Sequence, residues 1–218
     1  MNIASIIDHT LLRPDCKFAD IKKLADEAMR YQFAAICIPP YFIKEAASLL
    51  SSSPVKLATV IGFPMGYSTI PAKVEEIKRA INDGVDELDV VINIAAVKNQ
   101  DWNYIKNDIE STTRMSQLRG KIVKIILETS LLTDEEIIKL CKICNDVEID
   151  YAKTSTGYQG GATEHAVKLM RANLDKKIKI KASGGIRTYE DAKKMVTAGA
   201  NRLGCSSSIT ILKGQPIG

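Results

Sequence analysis

Aromatic residues are scarce in this chain. Phe, Trp and Tyr make up 6% of its 218 residues, with a single tryptophan. Trp102 and the scattered tyrosines form no platform on which nucleic-acid bases could stack. Histidine is scarcer still. His9 and His165 share no familiar metal-ligand spacing with the cysteines, so no resident metal or other cofactor is expected. The cysteines number five, Cys16, Cys37, Cys141, Cys144 and Cys205, and an odd count in a chain of this size is no disulfide framework. Cys141 and Cys144 are spaced C-x-x-C but fall inside a helical pattern, where they read as two partly buried helix residues. No apolar run approaches the length of a membrane span. Met1-Asn-Ile-Ala-Ser-Ile-Ile-Asp8 has neither a basic region nor a cleavage site, which predicts no signal peptide and a cytoplasmic location. There is also no block of one charge. The net charge of +4 is spread along the chain, which disfavours a nucleic-acid face and suits an anionic small molecule. Nor does a Pro- or Gly-rich linker divide the chain, so residues 1–218 are expected to form one domain.

What is present is alternation. Short β-branched runs at 5–8, 34–38, 56–61, 87–92, 122–128, 149–153, 178–182 and 202–205 are separated by helical patterns near 18–30, 40–51, 70–83, 100–118, 134–146, 162–173 and 189–198. A last short helix starts at about 206. Strands that alternate with helices imply a parallel sheet. Thr133 with Glu136, and Thr188 with Asp191, have capping-box spacing, and Pro71 suits the first turn of a helix. A weak internal repeat is also visible. Asp83-Gly-Val-Asp-Glu-Leu88 resembles Ala198-Gly-Ala-Asn-Arg-Leu203, with poorer copies at Asp146-Val-Glu-Ile-Asp150 and Gln32-Phe-Ala-Ala-Ile36. Eight such units predict a (β/α)8 TIM barrel. The rival, an open doubly wound sheet, would be expected to carry G-x-G-x-x-G after an early strand if it bound a dinucleotide, and no such motif occurs. Polar residues instead follow many different strands, as a closed barrel requires.

Two lysines stand out. Lys153 ends an apolar segment and opens Lys153-Thr-Ser-Thr-Gly157. Lys181 closes Lys177-Ile-Lys-Ile-Lys181 and precedes Ala-Ser-Gly-Gly-Ile-Arg187. A buried lysine beside a second ammonium loses its proton more readily, and the free amine attacks carbonyls. Strand parity adds a difficulty, because Lys179 shares the face of Lys181. An inward Lys179 would need a partner such as Glu87 or Glu128, or a bulge near the strand end. Asp89, among apolar residues of the fourth strand, is either an ion-paired structural group or a proton-transfer group beside the lysines. Gly184 and Gly185 after the seventh strand, and Gly204, Ser206 and Ser207 after the eighth, mark the place where barrels hold phosphate. His9 either binds substrate or caps a turn, Cys37 reads as a small buried residue, and His165 as an exposed one.

Taken together, Ile7-Asp-His-Thr-Leu11, Ala35-Ile-Cys-Ile38, Val60-Ile-Gly-Phe-Pro64 with Gly66, Glu87-Leu-Asp-Val-Val-Ile92, Lys153-Thr-Ser-Thr-Gly157, Lys181-Ala-Ser-Gly-Gly-Ile-Arg-Thr188 and Gly204-Cys-Ser-Ser207 resemble the deoxyribose-phosphate aldolases in content and order. The resemblance implies a metal-free Schiff-base aldolase on a (β/α)8 barrel. Such an enzyme reversibly cleaves 2-deoxy-D-ribose 5-phosphate to D-glyceraldehyde 3-phosphate and acetaldehyde in deoxyribonucleoside catabolism. By likeness, Lys153 forms the Schiff base, Lys181 keeps it deprotonated and Asp89 moves protons. Gly184, Gly185, Ser206 and Ser207 hold phosphate, and Asp8, Cys37, Thr154, Gly157 and Gly204 complete the substrate site. A homo-oligomer, dimer or tetramer, is implied, with no nucleic-acid or membrane partner. Some members carry a longer tail that ends in a tyrosine, and 214–218 here contains none. The alternatives are a transaldolase-type enzyme, a sugar-phosphate isomerase on the same barrel, or a barrel that senses a sugar phosphate without turnover.

Overall fold

The computed structural model describes residues 2–215, so the tail at 216–218 lies outside the described residues. Eight parallel strands close into a barrel in sequence order. They are β1 (Ile7–Thr10), β2 (Ala35–Ile38), β3 (Lys56–Ile61), β4 (Glu87–Val91), β5 (Ile122–Ile126), β6 (Tyr151–Lys153), β7 (Lys179–Ser183) and β8 (Arg202–Cys205). Closure is made by β1 against β8, with Ile7 opposite Leu203 and Asp8 opposite Gly204. The helices are α1 (Phe18–Tyr31), α2 (Ile43–Leu49), α3 (Ile70–Asp83), α4 (Ile94–Lys98), α5 (Trp102–Gln117), α6 (Asp134–Val147), α7 (Glu164–Asn173), α8 (Tyr189–Ala198) and α9 (Ser208–Lys213).

Alternation along each strand sorts the side chains. Ile36, Ile38, Leu57, Leu88, Val123, Ile125, Ile180 and Leu203 join the apolar layer between sheet and helices. The positions between them face the barrel axis. On β2 and β3 these are small and apolar, Cys37, Ala58 and Val60, packed with Leu12 and Phe63 in a cluster of their own. Elsewhere the interior carries the buried charges Asp8, Glu87, Asp89, Lys124, Lys153 and Lys181 beside apolar residues such as Val91 and Ile126.

The internal repeat has a structural meaning. Gly84, Glu148 and Gly199 each end a helix with positive φ. Two residues later a polar side chain pins the preceding strand. Asp86 accepts from the Leu57 amide at 3.0 Å, Asp150 from Val123 at 2.9 Å and Asn201 from Ile180 at 3.0 Å. Helix end and strand start are thus fixed by one short motif at the N-terminal ends of the strands. Both capping boxes form as the spacing predicts.

Several boundaries differ from the sequence expectation. Residues 4–6 make a 3-10 turn, so the first strand begins at Ile7. The fifth stops at Ile126, because Glu128 adopts a left-handed backbone at φ 58°. The sixth starts two residues late, since the Ile149 amide still bonds the α6 carbonyl of Cys144. The expected helix at 40–51 opens with a 3-10 turn, Pro40–Phe42. A short helix, α4, was not anticipated. Asn93 caps it by accepting from the Ala96 amide at 3.1 Å.

Candidate active site

Lys153 and Lys181 sit opposite each other on β6 and β7. Both are buried, at 3% and 1% exposure. Each donates to the same atom, Oδ2 of Asp89, at 2.7 Å, so the two nitrogens lie no further apart than twice that distance. The other oxygen, Asp89 Oδ1, accepts from Lys124 on β5 at 2.9 Å. Lys124 also lies 2.6 Å from Glu87 on β4. Lys181 bonds Asp8 on β1 as well. Arg202 on β8 lies 2.5 Å from Asp8 and 3.2 Å from Glu87. The barrel interior therefore holds one continuous network of four cations and three carboxylates.

Burial raises the cost of every charge here, and the partners decide which groups keep theirs. Burial and the neighbouring Lys181 ammonium push Lys153 below the usual lysine range, although Asp89 opposes them. Lys181 is as deeply buried, yet Asp8 and Asp89 together hold it above that range. Lys124, between Asp89 and Glu87, is likewise raised against the pull of burial. Burial also works against the carboxylates. The three lysines nonetheless hold Asp89 well below the usual carboxylate range, and Lys181 and Arg202 bring Asp8 to about 2. One cation, Lys153, is left poised to become an amine.

Above Lys153 opens a cavity of about 370 Å³. Of the residues singled out from sequence, Lys153, Gly157, Gly184, Gly185, Gly204 and Ser206 line it. Lys181, Asp89, Asp8, Cys37, Thr154 and Ser207 do not. Asp8 is wholly buried and committed to Lys181 and Arg202. Thr154 follows the inward Lys153, so alternation turns it outward, where its hydroxyl donates to the Ser183 carbonyl at 3.3 Å. Cys37 lies deep in the apolar cluster. Burial, together with the Asp89 charge, pushes its thiol up to about 11, which rules out a thiolate nucleophile near neutral pH.

His9 faces away from the axis. Its ring nitrogens lie 2.9 Å from Ser208 on α9 and 2.9 Å from Glu27 on α1, so it ties two helices to β1. The parity difficulty over Lys179 resolves without a bulge and, among the described residues, without a carboxylate partner. Lys179 is exposed, and its ammonium sits 5.6 Å from the centre of the Tyr151 ring. Glu87 serves Lys124 and Arg202 instead, and Glu128 accepts from Thr156. Cys141 and Cys144 are buried free thiols of α6.

Sequence reasoning passed over Lys124, Arg202, Arg187 and Tyr158. The first left a signal. Lys124 interrupts the apolar run Ile122-Val-Lys-Ile-Ile126 on the parity of a strand interior. Arg187 lines the cavity and makes no ion pair among the described residues. Tyr158 also lines it, donating to the Leu12 carbonyl at 3.0 Å and meeting Phe63 edge-on at 5.4 Å. These contacts depend on loop paths, and the sequence shows none of them.

A closed (β/α)8 barrel with an open cavity above a buried lysine and polar strand ends has the architecture of a barrel enzyme. The comparison with known proteins narrows this. Residues 3–212 match the model of the DeoC/LacD family aldolases, and the chain belongs to that family. It is 48% identical over 212 residues to the deoxyribose-phosphate aldolase of Caldicellulosiruptor saccharolyticus, covering 96% of each chain. It is also 48% identical over 217 residues to that of Thermococcus kodakarensis, covering 98% of this chain and 97% of the relative. The tetrameric deoxyribose phosphate aldolase of Aeropyrum pernix superposes with a TM-score of 0.90 at 32% identity, over 97% of this chain and 89% of the other.

Proposed function

We propose that the enzyme reversibly cleaves 2-deoxy-D-ribose 5-phosphate to D-glyceraldehyde 3-phosphate and acetaldehyde, through a Schiff base on Lys153, in deoxyribonucleoside catabolism. The observation that carries this is the shared carboxylate oxygen. A buried lysine held beside a second, permanently charged lysine by one Asp89 oxygen is a lysine prepared to act as an amine.

The chemistry follows in balanced steps. The Lys153 amine adds to the C1 aldehyde carbon of the open-chain sugar, and the resulting carbinolamine loses water to give an iminium. The C3 hydroxyl proton leaves to a base, the C3 carbonyl forms, and the C2–C3 electron pair flows into the iminium. D-Glyceraldehyde 3-phosphate departs and leaves an enamine. Protonation at C2 and addition of water then release acetaldehyde and the free amine. The iminium is the electron sink, a task that needs no Lewis acid. Asp89, in contact with both lysine nitrogens, takes up and returns protons there. The phosphate lies against the glycine turns at Gly184, Gly185 and Gly204, with Ser206 and the Arg187 guanidinium as further donors. Assembly into a dimer or tetramer belongs to the same reading and is supported by the tetrameric relative.

The test is acetaldehyde with a hydride reductant, followed by peptide mass spectrometry. A single ethylated lysine, Lys153, is expected. Ethylation at Lys181 instead, or at no lysine, sinks the assignment.

A further inference from the structure

Four cations face three carboxylates inside the barrel, and of these seven groups only Lys153 lines the cavity. Arg202 and Glu87 do not line the cavity. They touch each other at 3.2 Å, and each also contacts a carboxylate or lysine bonded to Lys181 or Asp89. Arg202 bonds Asp8, which bonds Lys181. Glu87 bonds Lys124, which bonds Asp89. We propose that the Glu87–Arg202 pair fixes the charge count of the barrel interior and so holds Lys153 in its amine form, which makes both of them positioning residues for the aldolase step. This deepens the Schiff-base reading and rests on it.

The reasoning is electrostatic. With Lys153 protonated the network carries one excess positive charge, and with Lys153 neutral it balances. A buried excess charge is costly, because low local polarisability leaves it poorly compensated. The proton therefore leaves the cation with the fewest carboxylate contacts. Lys181 and Lys124 each touch two carboxylates, and Arg202 touches two, whereas Lys153 touches one. The other groups facing this network are Cys37 on β2, a neutral thiol, Tyr151 on β6 beside Arg202, and Glu128 after β5. The inward residues of β3, Ala58 and Val60, bring no charge.

Removing one charge at a time changes the count in opposite directions. Arg202→Gln leaves three cations and three carboxylates, so protonated Lys153 becomes the balanced state. The acid limb of activity should move up by about one pH unit, with activity recovered at alkaline pH. Glu87→Gln deepens the positive excess, and the limb should move down by a similar amount. Glu87→Gln with Arg202→Gln restores the original excess, and the limb should return to its wild-type position.

The measurement is the pH dependence of cyanoborohydride trapping of acetaldehyde on Lys153, read by mass spectrometry beside the kcat profile and the Tm. Opposite shifts in the two single variants, cancelled in the double, are expected. Should Arg202→Gln fail to fold, Glu87→Gln against the double variant carries the same comparison. A lowered Tm with an unmoved limb in every folded variant overturns the proposal and leaves a purely structural pair. Absence of trapping on Lys153 in the unaltered enzyme is a different failure, that of the Schiff-base reading itself.

Discussion

Lys153 and Lys181 are register partners on neighbouring strands, and both donate to a single oxygen of Asp89. They differ in what else they touch. Lys181 also bonds Asp8, whereas Lys153 has no second carboxylate contact among the described residues and opens onto the cavity. The same side chain, one strand apart, is thus held above the usual lysine range in one place and pushed below it in the other. This asymmetry gives the site its direction.

Lys181→Leu removes the cation beside Lys153. The loss of that repulsion raises the Lys153 pKa, so the acid limb of the pH–rate profile moves to higher pH. An unchanged limb, measured on folded variant, removes the electrostatic role of Lys181.

Asp89→Asn strips the shared acceptor from three lysines at once. Activity should fall by about 10²- to 10⁴-fold, the range for loss of a positioned acid–base group. Stability should fall as well, since removing one partner from a buried ion pair costs about 3–5 kcal/mol. Steady-state kinetics with urea unfolding reads both.

Gly204→Ala tests close packing rather than charge. A Cβ at this position would lie 2.9 Å from Ser183 Cβ and 3.2 Å from Lys181 Cε. Either strand β8 shifts or the lysine does. A drop in kcat with a nearly unchanged fold by circular dichroism is the expected outcome.

Stability should fall steeply as acid is added below pH 4. Asp8 titrates at about 2 in the folded chain against a usual 3.8, and Asp89 is also well lowered. Groups whose folded pKa is depressed stabilise fully above their unfolded pKa. That stabilisation is lost as pH falls through the folded value. Thermal unfolding followed from pH 7 down to pH 2 checks the window. Asp8→Asn should flatten the slope between pH 4 and pH 2.

A second buried pair lies outside the barrel. Lys73 on α3 meets Asp108 on α5 at 2.6 Å and donates to the Val91 carbonyl at 2.7 Å. Asp108→Ala strands a buried ammonium and should cost about 3–5 kcal/mol, while Lys73→Met with Asp108→Leu should recover most of it. Urea unfolding with an unchanged m-value is the measurement.

The periodicity of the chain alone was enough for the barrel. Eight apolar runs separated by amphipathic helices leave a closed parallel sheet as the economical way to bury both kinds of face. The repeat at Gly84 and Gly199 even marked the helix-to-strand turns, because backbone conformation there is local. Lys153, Lys181 and Asp89 were also legible, as charges placed where strand parity demands apolar residues. Their partners were not. Whether Lys181 pairs with Asp8, across 173 residues of chain, depends on β1 closing against β8 and on the stagger of every strand between. Parity placed Lys179 and Lys181 on one face and could not tell that one ends in solvent and the other beneath the cavity. Sequence fixes which side of a strand a residue takes. Height along the barrel axis, and hence which charges meet, is set only once the sheet has closed.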